Sequence, residues 1–402
     1  MQFDFETMLD RTGKDAMAIE ALGTPGGFAP GAPKDGFSPI PMWVADMNFA
    51  TAPSVVRAIV ERAQHPAFGY FFPSDAYFRS IIEWHEKRHG LTGLEEKHIG
   101  YQNGVLGGLA SALGAFSSPG DRILVASPTY IGFRNCITRT GRYLERSPLT
   151  RDDDGTWRLN LEDMERRIVE NNIGLAVFCS PFNPCGRVWE RRELEQVAAL
   201  FEKYELVVVA DEIWHDLVLP GNEHIPFQSV NDYTRNRTIA LHAPSKTFNL
   251  AGLIGSYHIV FNDYLRKRLV NQSHSTYYND MNVLSMHALI GGYSPEGAAW
   301  VDELQQVIAR NVDTVCAFID ETPGLEAFHP QGTYMVFVDC TQWCTEHETD
   351  IDSLERAMWD VGVAVQDGRM FNGPCHIRMN VALPHAKVEE ALSRLNTHVF
   401  KG

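Results

Sequence analysis

Four short segments carry side chains whose types could do chemistry together. Asp211 follows the apolar run Leu206 to Ala210, and Lys246 stands just past the run Thr238 to His242. Asn183 lies in Ser180-Pro181-Phe182-Asn183-Pro184-Cys185-Gly186, after Leu175 to Cys179, and Tyr130 ends Ser127-Pro128-Thr129-Tyr130, after Arg122 to Ala126. Singly, each has a bland explanation. A lysine in a post-strand loop is a solvated charge, an aspartate there caps a turn or helix, Asn-Pro near a glycine is turn chemistry, and the tyrosine packs a core. Together they are an amine, a carboxylate, an amide donor and an aromatic face. A pyridine cofactor bearing an aldehyde asks for that set. The aldehyde needs a lysine amine, which can also shuttle a substrate Cα proton. The ring nitrogen stays protonated when a buried carboxylate faces it, by Coulomb attraction and hydrogen bonding. The ring oxygen takes an amide donor such as Asn183, and the ring face an aromatic partner such as Tyr130. Gly104-Val105-Leu106-Gly107-Gly108, running into the helical Leu109 to Phe116, offers a phosphate the backbone N–H groups of a helix start. These are the requirements of pyridoxal 5′-phosphate (PLP).

The elements that must position these residues are short, mostly apolar runs: Arg122 to Ala126, Leu175 to Cys179, Leu206 to Ala210, Thr238 to His242 and Tyr257 to Phe261. Amphipathic stretches at helical spacing, such as Leu161 to Glu170 and Glu193 to Tyr204, lie between them. The pattern predicts an α/β domain with a mostly parallel sheet between helices on both faces. Ligands of such sheets gather outside the carboxyl ends of the strands, where the four segments fall. The Gly- and Pro-rich stretch Gly23 to Pro41 reads as an arm or loop. After Gly291-Gly292-Tyr293-Ser294-Pro295 a long helix (Glu296 to Ile319), a strand (Tyr334 to Asp339), a helix near Ile351 to Val361 and a strand (His376 to Val381) predict a smaller α+β domain. The expected organisation is an arm and part of the small domain over 1–48, a large cofactor-binding domain over 49–290 and the small domain over 291–402.

Composition narrows the partners. The 402 residues include 35 Lys plus Arg against 51 Asp plus Glu, a net charge of −16. That balance repels nucleic-acid backbones and anionic lipid surfaces. No stretch approaches the ~18 apolar residues of a membrane span, and the acidic Met1 to Asp10 does not read as a signal peptide. The seven cysteines are scattered without a Cys-x-x-Cys, and Cys340 and Cys344 have no nearby cluster to complete a zinc site. The expectation is a cytoplasmic protein with reduced thiols, no metal, and neither nucleic acid nor membrane as partner.

Longer motifs add a resemblance. Trp43-Val44-Ala45-Asp46-Met47, Phe68-Gly69-Tyr70, Asn183-Pro184-Cys185-Gly186-Arg187-Val188-Trp189, Asp211-Glu212-Ile213-Trp214, Pro244-Ser245-Lys246-Thr247-Phe248-Asn249-Leu250-Ala251-Gly252-Leu253 and Ile377-Arg378-Met379-Asn380 occur in this order. Across essentially the whole chain they resemble the fold type I PLP enzymes, the aspartate aminotransferase (class I/II aminotransferase) superfamily. Within it they are most similar to the cystathionine β-lyase, or C–S lyase, branch, which includes a maltose-regulon modulator. The resemblance implies that Lys246, Asp211 and Tyr130 are catalytic. It implies that Lys246, Asp211, Asn183, Tyr130, Gly104, Val105, Leu106, Ser245 and Tyr70 hold PLP. Tyr70 would reach the phosphate of the neighbouring subunit in a homodimer with shared active sites. Arg378 would clamp the α-carboxylate of a small amino-acid substrate through its bidentate fork.

Departures from the family pattern are Ala243 and Ile254, where many aminotransferases place a phosphate-binding Ser and Arg. Trp214 replaces a frequent Tyr, Phe182 and Cys185 replace His and Thr, and Asn48 stands where the lyase branch often has Asp. The reaction implied first is α,β-elimination of cystathionine, cysteine or a related S-substituted cysteine to a thiol, pyruvate and ammonia. An aminotransferase uses the same residues and is the runner-up. A regulatory protein that keeps the PLP fold is a third reading. Against it stand the retained lysine, acid and arginine and the lack of a recognisable DNA-binding extension.

Overall fold

Five-residue runs without a polar face belong inside a sheet covered on both sides, and the chain buries them in the middle of seven strands. The computed structural model describes residues 2–24, 31–275 and 277–400, so residues 25–30 of the Gly- and Pro-rich stretch lie outside it. In chain order the strands are β1 (Ile99–Gln102), β2 (Arg122–Ser127), β3 (Tyr143–Pro148), β4 (Leu175–Cys179), β5 (Val207–Asp211), β6 (Thr238–His242) and β7 (Ser256–Ile259). Their order across the sheet is β1-β7-β6-β5-β4-β2-β3. The central strands β4, β5 and β6 are buried along their whole length.

The stretch from β6 to β3 is parallel, but β7 runs antiparallel to both its neighbours. The sheet is therefore mostly parallel, as the sequence pattern predicts, with the Tyr257 run as its antiparallel strand. A parallel pair needs a crossover, usually a full helix, and between β6 and β7 the chain has only the one-turn helix Pro244–Thr247 and the 3₁₀ turn Ala251–Leu253.

The chain packs as two units: Met1–Ala50 with Pro184–Gly186 and Glu303–Gly402, and Thr51–Asn183 with Arg187–Asp302. The second unit holds the seven-stranded sheet with, among others, α1 (Pro53–Gln64), α2 (Asp75–His89), α3 (Val105–Phe116), α4 (Ile131–Arg139), α5 (Leu161–Asn171) and α6 (Arg191–Lys203). Helix α2 starts at Ser74, whose hydroxyl accepts from the Tyr77 N–H, and stops at Gly90 in the left-handed conformation. Helix α3 lies close on the sheet because Gly108 has no side chain; a Cβ there would sit 2.7 Å from Leu241 Cδ2 on β6. The first unit carries β8 (Glu326–Ala327), β9 (Met335–Asp339), β10 (Gln366–Asp367) and β11 (His376–Asn380), all antiparallel in the order β8-β9-β11-β10. Its helices include α7 (Ile351–Asp360) and α8 (His385–Leu395). Among the described residues no helix is long and apolar enough to cross a membrane.

Candidate active site

Asp211 is the last residue of β5, paired in register with Leu241 of β6. Lys246 follows β6 within the one-turn helix Pro244–Thr247, which Pro244 starts at a position where its missing N–H costs nothing. Acid and amine thus leave the carboxyl ends of neighbouring strands. The Asp211 side chain is buried and accepts from the Ile213 N–H at 3.1 Å. Burial pushes its pKa from 3.8 up to about 7, while the Ile213 hydrogen bond and then the charge of Lys246 pull the other way. The Lys246 ammonium is thus felt at the carboxyl, and it also lies 5.8 Å from the ring centroid of buried Trp214. A sealed carboxyl that resists ionising is one that gains from a further cation beside it.

Asn183 is buried at the tip of a tight turn closed by the Phe182 N–H, which donates to the Arg187 carbonyl at 2.8 Å. Arg187 anchors the return limb; its fully buried guanidinium pairs with Glu193 at 2.5 Å and Glu190 at 2.9 Å. Tyr130 forms the N-cap of α4, and its ring lies over Gly132. A Cβ at 132 would stand 2.3 Å from Tyr130 Cε1 and 3.0 Å from Leu106 Cδ1. The absence of a side chain at 132 is what lets the ring lie there.

Gly104, with φ +80°, is the N-cap of α3, and Val105 is its first residue, four earlier than the sequence pattern places the helix. The early start puts Val105 and Leu106 in the first turn, where N–H groups have no acceptor within the helix. Ile254 borders this turn, its Cγ2 lying 3.9 Å from where a Gly104 Cβ would be. Ile254 has φ +63°, a strained conformation for a β-branched residue. Ser245 is buried in the turn that carries the lysine.

Tyr70 is 111 % exposed and its neighbours Phe68 and Phe72 are 55 % and 93 % exposed, so Tyr70 is no part of a buried core within one chain. In the other unit, Arg378 is buried on β11 with its guanidinium 4.4 Å from the Phe371 ring centroid. It donates to the Trp43 carbonyl at 3.2 Å and to Gln366 Oε1. Asn380 donates to the carbonyls of Val44 at 2.7 Å and Asp46 at 2.5 Å. Two motifs far apart in sequence, Trp43 to Met47 and Ile377 to Asn380, thereby form one cluster.

Sequence reasoning missed Gly132 and Asp216. Asp216 is buried and accepts from Thr247 Oγ1, beside the lysine, and from Trp84 Nε1, each at 2.9 Å. His89 Nε2 lies 2.9 Å and Arg88 Nε 3.8 Å from its Oδ1, and His215 Nε2 lies 3.3 Å from its Oδ2. An acidic residue inside the apolar stretch Trp214 to Leu219 was the available signal.

Residues 40–395 match the family described as aminotransferase class I and II, and the chain belongs to that family. It is 30% identical over 359 residues to cystathionine β-lyase PatB of Bacillus subtilis, covering 89% of this chain and 91% of that one. It is 27% identical to protein MalY of Escherichia coli over 98% of both chains. Among solved structures it is similar to cystalysin of Treponema denticola, which contains PLP, with a TM-score of 0.90 at 28% identity and 99% coverage of both chains. The fold is that of the aspartate aminotransferase-like, fold type I enzymes, and the family's cofactor is PLP. The residues present fit it: a sealed carboxyl short of positive charge, an amine from the next strand, and an aromatic ring held in place by a glycine.

Proposed function

We propose that the protein is a PLP-dependent C–S β-lyase acting on cystathionine, cysteine or another S-substituted cysteine. With one water consumed, the products are a thiol, pyruvate and ammonia. The observation that carries the reading is the buried Asp211 carboxyl, which feels the charge of Lys246 from the neighbouring strand end. The choice of elimination over amino transfer follows the 30% identity to PatB and the likeness to cystalysin. Ile254 beside the start of α3, where aminotransferases often carry an arginine, supports the same branch.

When bound, PLP supplies an aldehyde for the amines of Lys246 and substrate, and a ring that stores the electron pair left at Cα. Lys246 would hold the cofactor through Nζ, and the same amine would take the substrate Cα proton as general base. Asp211 holds a proton on the ring nitrogen; facing that cation its carboxyl ionises, and its pKa falls from the raised value. The Asn183 amide would donate to the cofactor's ring oxygen, and Tyr130 would supply it an aromatic partner. The N–H groups of Val105 and Leu106 after Gly104, with the Ser245 hydroxyl, would hold the phosphate. Tyr70 of the partner subunit completes that grip in a homodimer. Arg378 takes the substrate carboxylate by resemblance to the family. The seven cysteines are free of disulfides, which suits a cytoplasmic protein.

Pyruvate release from cystathionine and from S-substituted cysteines by the purified protein tests the proposal. Lys246→Ala should lower that release by at least ~10²-fold, the contribution of a general base. Amino transfer to an added keto acid without pyruvate formation would make the protein an aminotransferase instead.

A further inference from the structure

Five histidines gather in the unit that holds the large sheet, from places scattered along the sequence. His85 and His89 lie one turn apart on α2, His215 and His224 follow β5, and His242 ends β6. Ring centroids are 4.5 Å apart for His85–His242, 4.7 Å for His89–His215, 5.0 Å for His215–His242 and 5.4 Å for His85–His215. All but the half-buried His89 are sealed from solvent, and the carboxylates of Glu212 and Asp216 are sealed with them.

A buried imidazole nitrogen without a hydrogen-bond partner is costly, and the cluster contains several. His85 Nδ1, His215 Nε2 and both ring nitrogens of His242 have none. His215 is the most telling. Its Nδ1 lies 2.6 Å from the Glu212 carbonyl oxygen, so Nδ1 carries the hydrogen and donates. Its Nε2 then presents a lone pair 3.3 Å from Asp216 Oδ2. A lone pair and a carboxylate oxygen at that separation repel unless a proton or a metal cation serves both. His85 and His242 are sealed from solvent with ring nitrogens that have no hydrogen-bond partner, an arrangement open to ligation.

One ligand nitrogen from each of His85, His215 and His242 lies within 4.8 Å of the other two. Nitrogens around a tetrahedral zinc stand about 3.4 Å apart, so a small inward movement of the rings closes the site. His89, His215 and Asp216 form a second such grouping around the same His215, which brings a carboxylate within reach of the ion. The outer contacts also suit ligation. His85 Nε2 lies 2.8 Å from the Tyr257 hydroxyl, which is 2.9 Å from that of Tyr293, and His215 is fixed by its carbonyl. Metal-bound histidines are oriented in this way by the bond their other nitrogen makes.

We propose that His85, His215 and His242 bind one divalent transition-metal cation of the zinc class, with Asp216 supplying counter-charge. The buried carboxylates Glu212 and Asp216 balance a dication. A site closed to water on all sides is structural: the ion enters as the chain folds and ties α2 to the ends of β5 and β6. Those strand ends carry Asp211 and Lys246, and Asp216 also holds Thr247. The ion would therefore brace the catalytic loops without touching substrate. The inference rests on the histidines alone and does not depend on which reaction the enzyme performs.

The test is metal content of the tag-free holoprotein produced in zinc-supplemented medium and purified without chelators. Close to one zinc per chain is expected by plasma mass spectrometry. Protein grown with cobalt should show visible d–d absorption to the red of the cofactor band. His85→Phe and His242→Phe, checked for native near-UV circular dichroism, should lose the metal while still retaining PLP. Should both variants fail to fold, the cobalt spectrum of the wild-type protein decides. Wild-type protein without stoichiometric zinc or cobalt bands, or folded variants that keep the metal undiminished, would overturn the proposal.

Discussion

A carboxyl sealed in protein resists ionisation, and Asp211 turns that cost into a preference for a cationic ring. A rise from 3.8 to about 7 disfavours its charged form by roughly 4 kcal/mol at ~1.4 kcal/mol per pH unit. Because the folded pKa is the higher one, the cofactor-free fold keeps a proton that the unfolded chain has already released. Stability of the cofactor-free protein should therefore fall as pH rises from about 4 to about 7, and level off above that. Urea unfolding of cofactor-free wild type and Asp211→Asn across this window measures it: the wild type should lose more. Equal slopes would contradict the assignment. Gly132→Ala is a sharper probe of the ring face, because the added methyl would meet Tyr130 Cε1 at 2.3 Å. The ring must then move, and PLP should dissociate several-fold faster with the fold retained; unchanged retention would remove Tyr130 from the cofactor face. Lys246 and Asp211 were legible in sequence because strand ends converge in an α/β sheet. Gly132 and Asp216 were not, since their importance comes from what folding places against them.

At the level of elements, sequence periodicity located β4 and β6 at their observed ends and the helices near theirs, because a buried strand and an amphipathic helix each write a period into the chain. It did not find β1, four residues with a glycine at their second position, or the half-exposed β3. Neither shows an apolar run or a clean alternation. The direction of β7 was hidden for a different reason: direction depends on how the chain returns, which a strand's composition does not encode. The start of α3 moved from Leu109 to Val105 because Gly107 and Gly108, which read as loop, are helical. Gly108 serves close packing, and Gly108→Ala should push α3 off Leu241. Overpacking of this kind costs ~1–3 kcal/mol. A lowered thermal midpoint together with weaker PLP binding is expected, since the same helix presents the N–H groups of Val105 and Leu106. A variant as stable as wild type would show that the helix can shift without strain.

On the scale of the whole molecule, the exposed aromatic group Phe68, Tyr70 and Phe72 is the feature a single chain leaves unexplained. Aromatic side chains in water are what a partner surface covers. If Tyr70 of the partner subunit completes each cofactor site, Tyr70→Ala should bind PLP weakly on its own. Co-expression of Tyr70→Ala with Lys246→Ala chains should restore activity, because one of the two sites in the mixed dimer then has both residues intact. Absence of any rescue would place Tyr70 outside the site. The claim beneath all of this is that Lys246 carries PLP in the folded holoprotein, and borohydride reduction followed by peptide mapping addresses it most directly. The visible absorption of the PLP-loaded protein should disappear on reduction, and the cofactor mass should be found on the peptide containing Lys246. Protein that stays colourless after PLP addition, or a label on a different lysine, would contradict the account.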